Sequence, residues 1–182
     1  MADTVDPWTA RLPEALRHDA ILLAGLEYWR AARRESLAPD ISAIDPLLLP
    51  RRVLPCVVLA DFVGERIRYR LVGTNMVDQW GEDFTGRFLD EIMAGEYGTY
   101  IHDLFRQCAT MMAPVFSEST FRWDVGRVVW TRRLMLPFLG AAESRLMVVQ
   151  TFGGDGAATH PPSRLSVIGG WAPQTPATVL AI

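Results

Sequence analysis

The fold of this chain is indicated by the segment Arg66-Ile-Arg-Tyr-Arg-Leu-Val-Gly73 and by the residues directly after it. Charged and apolar side chains alternate along it, which predicts a half-buried strand whose inward face carries Ile67, Tyr69 and Leu71. Gly73 ends the strand, and residues 75–80 are long enough for a short helix. A strand that leads into several short, glycine-punctuated helices is typical of a scaffold that surrounds a small pocket.

The composition describes one globular domain with a sizeable core. The chain has 182 residues, of which 49% are hydrophobic and 21% are charged, and both fractions are ordinary for a folded domain. The net charge of −3 argues against a nucleic-acid partner, which would require a clustered basic face.

The sequence offers no support for a disulfide-linked, secreted or membrane-spanning protein. Cys56 and Cys108 lie far apart and neither belongs to a CxxC motif, so neither a disulfide framework nor a zinc site is expected. The first residues carry no basic region followed by an apolar run, and no apolar stretch reaches the roughly 18 residues that cross a bilayer. We therefore expect a cytoplasmic protein without membrane contact.

Three regions follow from the order of patterns. Residues 1–36 form a lead and a flanking helix from about Pro13 to Arg34, in which Asp19 is suited to cap an inner start. On this helix Leu22, Leu26 and Trp29 lie on one apolar side. They either cover the domain's own core or form a dimerisation surface, and the likeness described below makes a homodimer the expectation. Residues 37–152 form the core domain, and residues 153–182 read as a flexible Gly/Pro-rich tail.

The core domain is predicted to be α+β. Residues 56–63 and 66–72 form a hairpin, a long helix with an apolar stripe covers about Glu96 to Met112, and three further strands follow it. A five-stranded antiparallel sheet with the short helices and the long helix on one face is the simplest arrangement that buries all of these patterns.

That order of elements resembles a PAS domain, and the residues extend the likeness. Residues 69–74, residues 88–92 and the late segment 133–138 resemble a family of small, often free-standing bacterial PAS-like proteins, as do the leader residues around Tyr28 and Asp45. The likeness covers about residues 14–152. It implies a sensory and interaction module of signal transduction, which encloses a small molecule between sheet and helices and dimerises through flanking helices.

A ligand pocket is expected between the sheet and the helices. Its predicted lining combines strand, short-helix and long-helix side chains: Tyr69, Leu71, Met76, Trp80, Phe88, Leu104, Phe105, Cys108, Phe121, Leu134, Leu136 and Gln150. Each of them can equally be ordinary core. Tyr69, Trp80 and Gln150 stand out because a buried polar tip needs a partner and can offer one to a ligand.

The cofactor is left unknown, and the residues argue against haem and flavin. His102 on the long helix is the one candidate for a haem ligand, but it lies about 100° round from the apolar stripe. Cys108 falls outside the short helices where blue-light flavin domains carry their reactive cysteine, and buried cysteine is usually inert.

The first hypothesis is a non-enzymatic sensor that binds a small apolar or amphipathic ligand and signals through a partner protein. A small cone-shaped α+β enzyme of the isomerase or dehydratase type is the alternative, although it needs an inward His or carboxylate. A purely structural dimeric adaptor with a filled pocket is the third possibility.

Overall fold

The structure is a computed structural model. It describes residues 8–124, 127–140, 144–153, 172–173 and 176–182, with the backbone alone over residues 121–124 and 127–128. The first seven residues of the predicted lead and most of the predicted tail lie outside these residues.

The N-terminal region forms two helices, α1 (Glu14–Arg17) and α2 (Ala20–Arg33). Asp19 caps α2: its Oδ1 accepts hydrogen bonds from the backbone N–H groups of Ile21 and Leu22, each at 3.1 Å. This satisfies two of the donors that a helix start leaves without partners, so the inner start predicted at Asp19 is confirmed. Arg30 and Arg33 lie in the last turn of α2, where cations suit the helix dipole.

The hairpin and the helices after it follow in the predicted order. Strands β1 (Val57–Val63) and β2 (Arg66–Val72) pair antiparallel. Helices α3 (Thr74–Trp80), α4 (Leu89–Ile92) and α5 (Gly95–Met111) come next. Gly81 ends α3 with φ +79°, a left-handed conformation that glycine adopts without a steric penalty.

Three long strands complete the sheet. These are β3 (Val115–Asp124), β4 (Arg127–Leu139) and β5 (Ser144–Gly153), and the order across the sheet is β2-β1-β5-β4-β3. Two short strands, β6 (Ala172–Pro173) and β7 (Thr178–Val179), pair antiparallel with the outer edge of β3. The predicted α+β class and antiparallel sheet are therefore confirmed, with two short strands added to the five.

Both faces of the sheet are buried. The helices α3, α4 and α5 cover one face, which we call the helix face, and helix α2 covers the other, which we call the outer face. A sheet that is covered on both sides carries apolar residues at successive positions instead of every second one. This pattern limits what alternation along β4 and β5 can predict.

The flanking helix is part of the outer-face core, which corrects the prediction that its apolar side is a dimer surface. Leu22, Leu26 and Trp29 are each 0% exposed. They pack against the sheet, and the Trp29 indole N–H donates to the Pro137 carbonyl at 2.7 Å. Side chains that are buried within one chain cannot meet a second copy unless α2 leaves the sheet.

Leu71 points to the opposite face from Tyr69, which corrects its assignment to the pocket. In the β1–β2 pair Leu59 lies opposite Leu71 and Ala60 lies opposite Tyr69, so Arg70 is an extra residue in β2. Such a β-bulge reverses the facing of every residue beyond it. Leu71 is 39% exposed, and Val72 packs on the helix face in its place.

The last residues of the predicted flexible tail are ordered against the sheet, which corrects that prediction for the part of the tail the structure describes. The Leu180 backbone N–H donates to the Pro114 carbonyl at 2.8 Å, and the Leu180 side chain is buried in the outer-face core. Residues 154–171 lie outside the described residues.

Candidate functional site

A small cavity lies on the helix face, between the sheet and helices α3 and α5. Its volume is about 20 Å³, which is enough for one water molecule. The lining is mostly apolar and aromatic, with a few polar groups among it: Val58, Tyr69, Met76, Trp80, Phe84, Met93, Tyr97, Ile101, Phe105, Arg133, Met135, Val148 and Gln150. A concave, apolar site with few polar groups is the usual form of a ligand pocket.

Aromatic rings form the wall near β2. The Tyr69 ring meets Phe84 edge-on, with 4.8 Å between ring centroids, and meets Phe105 edge-on at 6.5 Å. Edge-to-face pairs of this kind add to the burial energy of the rings and fix their relative orientation. This wall is therefore the rigid side of the cavity.

Methionines form an adaptable part of the lining. Met76 from α3, Met93 after α4 and Met135 from β4 all line the cavity. An unbranched thioether changes rotamer readily and fills irregular space. The volume available to a ligand can therefore grow by side-chain rotation without a change of the backbone.

Arg133 brings a positive charge to the cavity wall. It lies in β4, opposite Ser117 of β3 and Gln150 of β5, and it is only 3% exposed. Its Nη1 donates to Ser119 Oγ at 2.8 Å, and its Nη2 donates to the Tyr97 hydroxyl. Both acceptors are neutral groups. A buried charge normally has an ionic partner, because the loss of hydration is otherwise uncompensated.

The two tyrosines of the cavity do not supply the missing negative charge. Burial is the main cause that raises the pKa of Tyr69 well above its ordinary value, and burial likewise raises the pKa of Tyr97. Arg133 opposes the shift in both cases without reversing it. Both phenols therefore stay protonated at neutral pH and interact with Arg133 only as neutral hydroxyls.

Further polar side chains surround Arg133 on the same face of the sheet. Gln150 Nε2 donates to Thr131 Oγ1 at 2.8 Å. Ser117 is 1% exposed, and its hydroxyl has no hydrogen-bond partner within the described residues. A buried hydroxyl without a partner costs free energy, so the position beside Arg133 is suited to a water molecule or to a polar ligand atom.

Met93 separates the cavity from an open groove at the surface. The groove has a volume of about 360 Å³ and runs between β2, α4 and the start of α5. Met93 lines both the groove and the cavity. A rotation of its side chain would therefore change the separation between the two spaces.

The cavity brings together only part of the predicted lining. The predicted residues that line it are Tyr69, Met76, Trp80, Phe105 and Gln150. Leu104 and Cys108 belong to the same core but lie away from the cavity. For Phe121 the structure gives the backbone position in β3 and nothing of the side chain.

Phe88 does not form the predicted rim, and Phe84 takes that place. Residues 86–88 follow the free edge of β2, where Gly86 N–H donates to the Tyr69 carbonyl at 2.8 Å. This pairing directs Phe84 into the core and leaves Phe88 half-buried, with the Arg66 guanidinium 3.7 Å above its ring. A backbone contact outside the regular strands decides the difference.

Leu134 and Leu136 lie on the outer face, which corrects their assignment to the pocket. They pack with Trp29 under helix α2, whereas Arg133 and Met135 of the same strand line the cavity. Gln150 pairs with Arg133 across β4 and β5. The prediction combined Gln150 with strand positions of the opposite phase, a shift of one residue along β4.

Sequence reasoning missed Arg133 as a site residue, and a usable signal was present. Val129, Thr131, Arg133 and Met135 alternate with Leu134 and Leu136, so one face of β4 carries polar groups among apolar ones. An arginine in the middle of a central strand is an unusual residue for a buried position. Phe84, Met93 and Tyr97 were likewise missed as cavity lining.

The candidate haem ligand and the candidate reactive cysteine both lie away from the cavity. His102 Nε2 is 2.9 Å from the Glu65 carbonyl at the surface groove. Cys108 is fully buried, and burial raises the pKa of its thiol, which contacts the carbonyls of Ala113 and Met135. A thiol in this state is a packing group.

The paired carboxylates next to the groove are structural. Arg66 Nη2 lies 2.8 Å from Asp90 Oδ1 and 2.9 Å from Glu91 Oε1. Glu91 also accepts a hydrogen bond from the Phe88 backbone N–H at 3.2 Å. These hydrogen bonds lower the pKa of both carboxyl groups. Carboxylates that are exposed and stabilised as anions are poorly suited to accept a proton in catalysis.

The described residues lack both a metal-binding cluster and a membrane-spanning helix. They contain no cluster of three or more His, Cys, Asp or Glu side chains that suits a metal ion. None of the described helices combines the length and the apolar character that crossing a bilayer requires.

Comparison with known proteins agrees with the architecture. A family model described as the PAS domain matches residues 18–151, a range that begins next to the cap of α2 and ends in β5. Among curated proteins none matches the chain. Because the matched range covers most of the sequence, this chain belongs to the PAS domain family of sensory and interaction modules.

Proposed function

We propose that this protein is a non-enzymatic sensor of signal transduction that binds a small apolar or amphipathic ligand in the helix-face cavity. The observation that carries the proposal is the cavity itself, in which a rigid aromatic wall, adaptable methionines and a few polar groups converge. This combination recognises a ligand and also adapts to it.

The chemistry of the lining favours binding over catalysis. The cavity residues within the described part of the chain include no His, Asp or Glu, the side chains that most often act as general bases. Tyr69 and Tyr97 have raised pKa values and so stay protonated. The enzyme alternative therefore has less support than the sensor.

A signal from the cavity has a short route to the outer face. Met135 lines the cavity, and the adjacent residue Leu134 packs in the outer-face core with α2. Ligand entry that shifts β4 would change the packing of this helix. We propose that the output passes to a partner protein, or to a second copy of the chain, from this side of the domain.

A homodimer remains part of the proposal, with a different surface from the one first expected. Leu47 and Leu48 are 92% and 68% exposed and lie between α2 and β1. Large apolar side chains that are exposed next to each other are typical of interaction sites. We propose that this pair, and not the buried side of α2, contacts the second copy.

The adaptor with a filled pocket is the second candidate, and the small cavity volume of about 20 Å³ favours it. Both candidates share the fold and the dimer. They differ in whether the methionines move aside for a ligand.

Native mass spectrometry of the purified protein, followed by thermal-shift screening of small apolar compounds, separates the two. The test variant is Val58→Ile, which adds one methyl group to the cavity wall. The control is Val57→Ile, which adds the same group to the outer-face core of the same strand. A sensor binds a compound as wild type and as the control but loses it in Val58→Ile. If the mass shows no bound molecule and no compound stabilises the protein, the adaptor is the supported candidate.

A further inference from the structure

The charge of Arg133 is handled differently from the other charges buried in the sheet. Asp61 is 2% exposed, and two guanidinium groups neutralise it: Arg145 Nε lies 2.6 Å from Oδ1, and Arg70 Nε lies 3.2 Å from Oδ2. Arg133 is equally buried, yet within the described residues no carboxylate lies within 4 Å of it. The buried anion of the sheet, Asp61, therefore has cationic partners, whereas the buried cation, Arg133, has no anionic partner within the described residues.

The donors around Arg133 are arranged for an oxygen anion. Arg133 lines the cavity together with Tyr69, Tyr97 and Gln150, and its Nη2 donates to the Tyr97 hydroxyl. Arginine presents its N–H groups in a planar fork that matches a carboxylate. Ser117, whose buried hydroxyl has no partner within the described residues, lies directly opposite Arg133 on the neighbouring strand but outside the cavity lining.

We infer that the ligand of this cavity is a small monocarboxylate, whose carboxylate binds Arg133 and whose apolar body lies among the methionines and aromatic rings. The inference rests on the proposed sensor function, because it names the chemical class of ligand for the same cavity. The ligand supplies the negative charge that the protein does not, so binding removes the cost of a buried, uncompensated cation.

The surroundings favour a carboxylate over a phosphate. A phosphate monoester carries a charge of about −1.5 to −2 at neutral pH, and Arg133 is the one cation among the described residues that line the cavity. The remaining lining is apolar or neutral, which suits an aliphatic or aromatic body of a few carbon atoms. A single carboxylate leaves no charge in excess.

Entry of such a ligand requires the methionines to move. The cavity of about 20 Å³ holds a water molecule but not a carboxylic acid. Met93 lies between the cavity and the surface groove, so its rotation opens a path, and Met76 and Met135 provide further room. The anion passes Arg66 at the groove, although that arginine is already bound to Asp90 and Glu91.

The test is a titration of the full chain, labelled with ¹³C at the methionine methyl groups, followed by NMR. The probes are two matched pairs: hexanoate against 1-hexanol and benzoate against benzyl alcohol, with hexyl phosphate as a further anion. We expect the acids to shift the Met76, Met93 and Met135 signals and to leave the exposed Met111 unchanged. We expect each acid to bind roughly ten- to a hundredfold more tightly than its alcohol, as hydrogen bonds to a charged group allow.

The variants are Arg133→Gln and the matched control Arg132→Gln. Arg132 is the adjacent residue of β4, and its guanidinium pairs with Glu118 at 2.9 Å, away from the cavity. Arg133→Gln should bind acid and alcohol equally, whereas Arg132→Gln should keep the preference of the wild type. If Arg133→Gln does not fold, the wild-type comparison of acid with alcohol and the location of the shifts decide the matter.

The outcomes separate the inference from the sensor function. Equal binding of acids and alcohols by the wild type, or an acid preference that survives in Arg133→Gln, overturns the carboxylate assignment and leaves the sensor intact. Tighter binding of hexyl phosphate than of hexanoate, or acid shifts at Met111 alone, also overturns it. Absence of binding by every probe overturns the carboxylate and the sensor together.

Discussion

Gly25 of α2 and Val149 of β5 approach so closely that a Cβ atom at position 25 would lie 2.8 Å from Val149 Cγ2. Real Cβ contacts are essentially never this short, so a larger residue must displace the Val149 side chain or the helix. We expect Gly25→Leu to lower the free energy of unfolding by about 1–3 kcal/mol through overpacking. Urea unfolding followed by circular dichroism measures this.

Glu27→Leu provides the control for that substitution. Glu27 lies two residues further along the same helix and is exposed, so leucine there changes helix propensity little and makes no contact with the sheet. Equal stability of the two variants would show that α2 does not pack on the sheet as described.

The second prediction concerns self-association. Leu47→Asp combined with Leu48→Asp should keep the fold and shift the protein to a monomer, because both side chains are exposed. Leu22→Asp should instead unfold the protein, since it places an unpaired charge in the outer-face core. Sedimentation equilibrium and circular dichroism distinguish the two effects. A folded monomer from Leu22→Asp would return the dimer surface to α2.

The third prediction concerns the wall between groove and cavity. A Cβ atom at Gly98 would lie 2.1 Å from the Met93 backbone oxygen, so Gly98→Ala must displace Met93. Alanine normally stabilises a helix by about 1 kcal/mol relative to glycine. Here we expect a loss of about 1–3 kcal/mol in urea unfolding, together with faster exchange of any cavity ligand.

Thr99→Ala is the matched control, because Thr99 is exposed on the same turn of α5 and lines only the groove. It should leave the Met93 methyl signal of the NMR spectrum in place. A Gly98→Ala protein that is as stable as the wild type would contradict the close contact.

The fourth prediction concerns alkaline pH. Burial raises the pKa of Tyr69 above its ordinary value of 10.0, so unfolding releases a proton at pH values between the unfolded and the folded pKa. The contribution of Tyr69 to the free energy of unfolding is fully present below about pH 10. Above that pH it falls, by up to about 1.4 kcal/mol per pH unit. Tyr69→Phe should remove this part of the slope.

Urea unfolding of both proteins at pH 7, 9.5, 10.5 and 11 measures the slope, and the difference between them at pH 7 serves as the reference. Tyr97 and Cys108 also have raised pKa values, so part of the decline persists in the variant. If the free energy of unfolding falls equally with pH in the wild type and in Tyr69→Phe, Tyr69 is not buried as described.

The sequence predicts most of the fold because the decisive signals are local. The alternation over 66–70, the apolar stripe of α5 and the cap at Asp19 each depend on residues within a few positions of one another. Tyr69, Trp80 and Gln150 could be placed at the cavity because a polar tip among apolar neighbours is visible in the letters alone. Such signals can be read without knowledge of the tertiary structure.

The errors arise where a distant element decides which way a side chain points. Helix α2 covers the outer face, so Leu134 and Met135 are both buried, and alternation along β4 no longer identifies the cavity side. The pairing of residues 86–88 with β2 exchanges Phe88 for Phe84 in the same way. Arg133 was overlooked because its burial depends on the helices on one side and the neighbouring strands on the other.

The extra residue at Arg70 changes which face of the sheet the following side chains of β2 point to. Before the bulge, Ile67 and Tyr69 point to the helix face. After it, Leu71 points to the outer face, opposite Leu59. Regular alternation through Arg70, without the bulge, would exchange the facing of Leu71 and Val72. One residue thus determines which side chains of a continuous strand reach the core of the helix face.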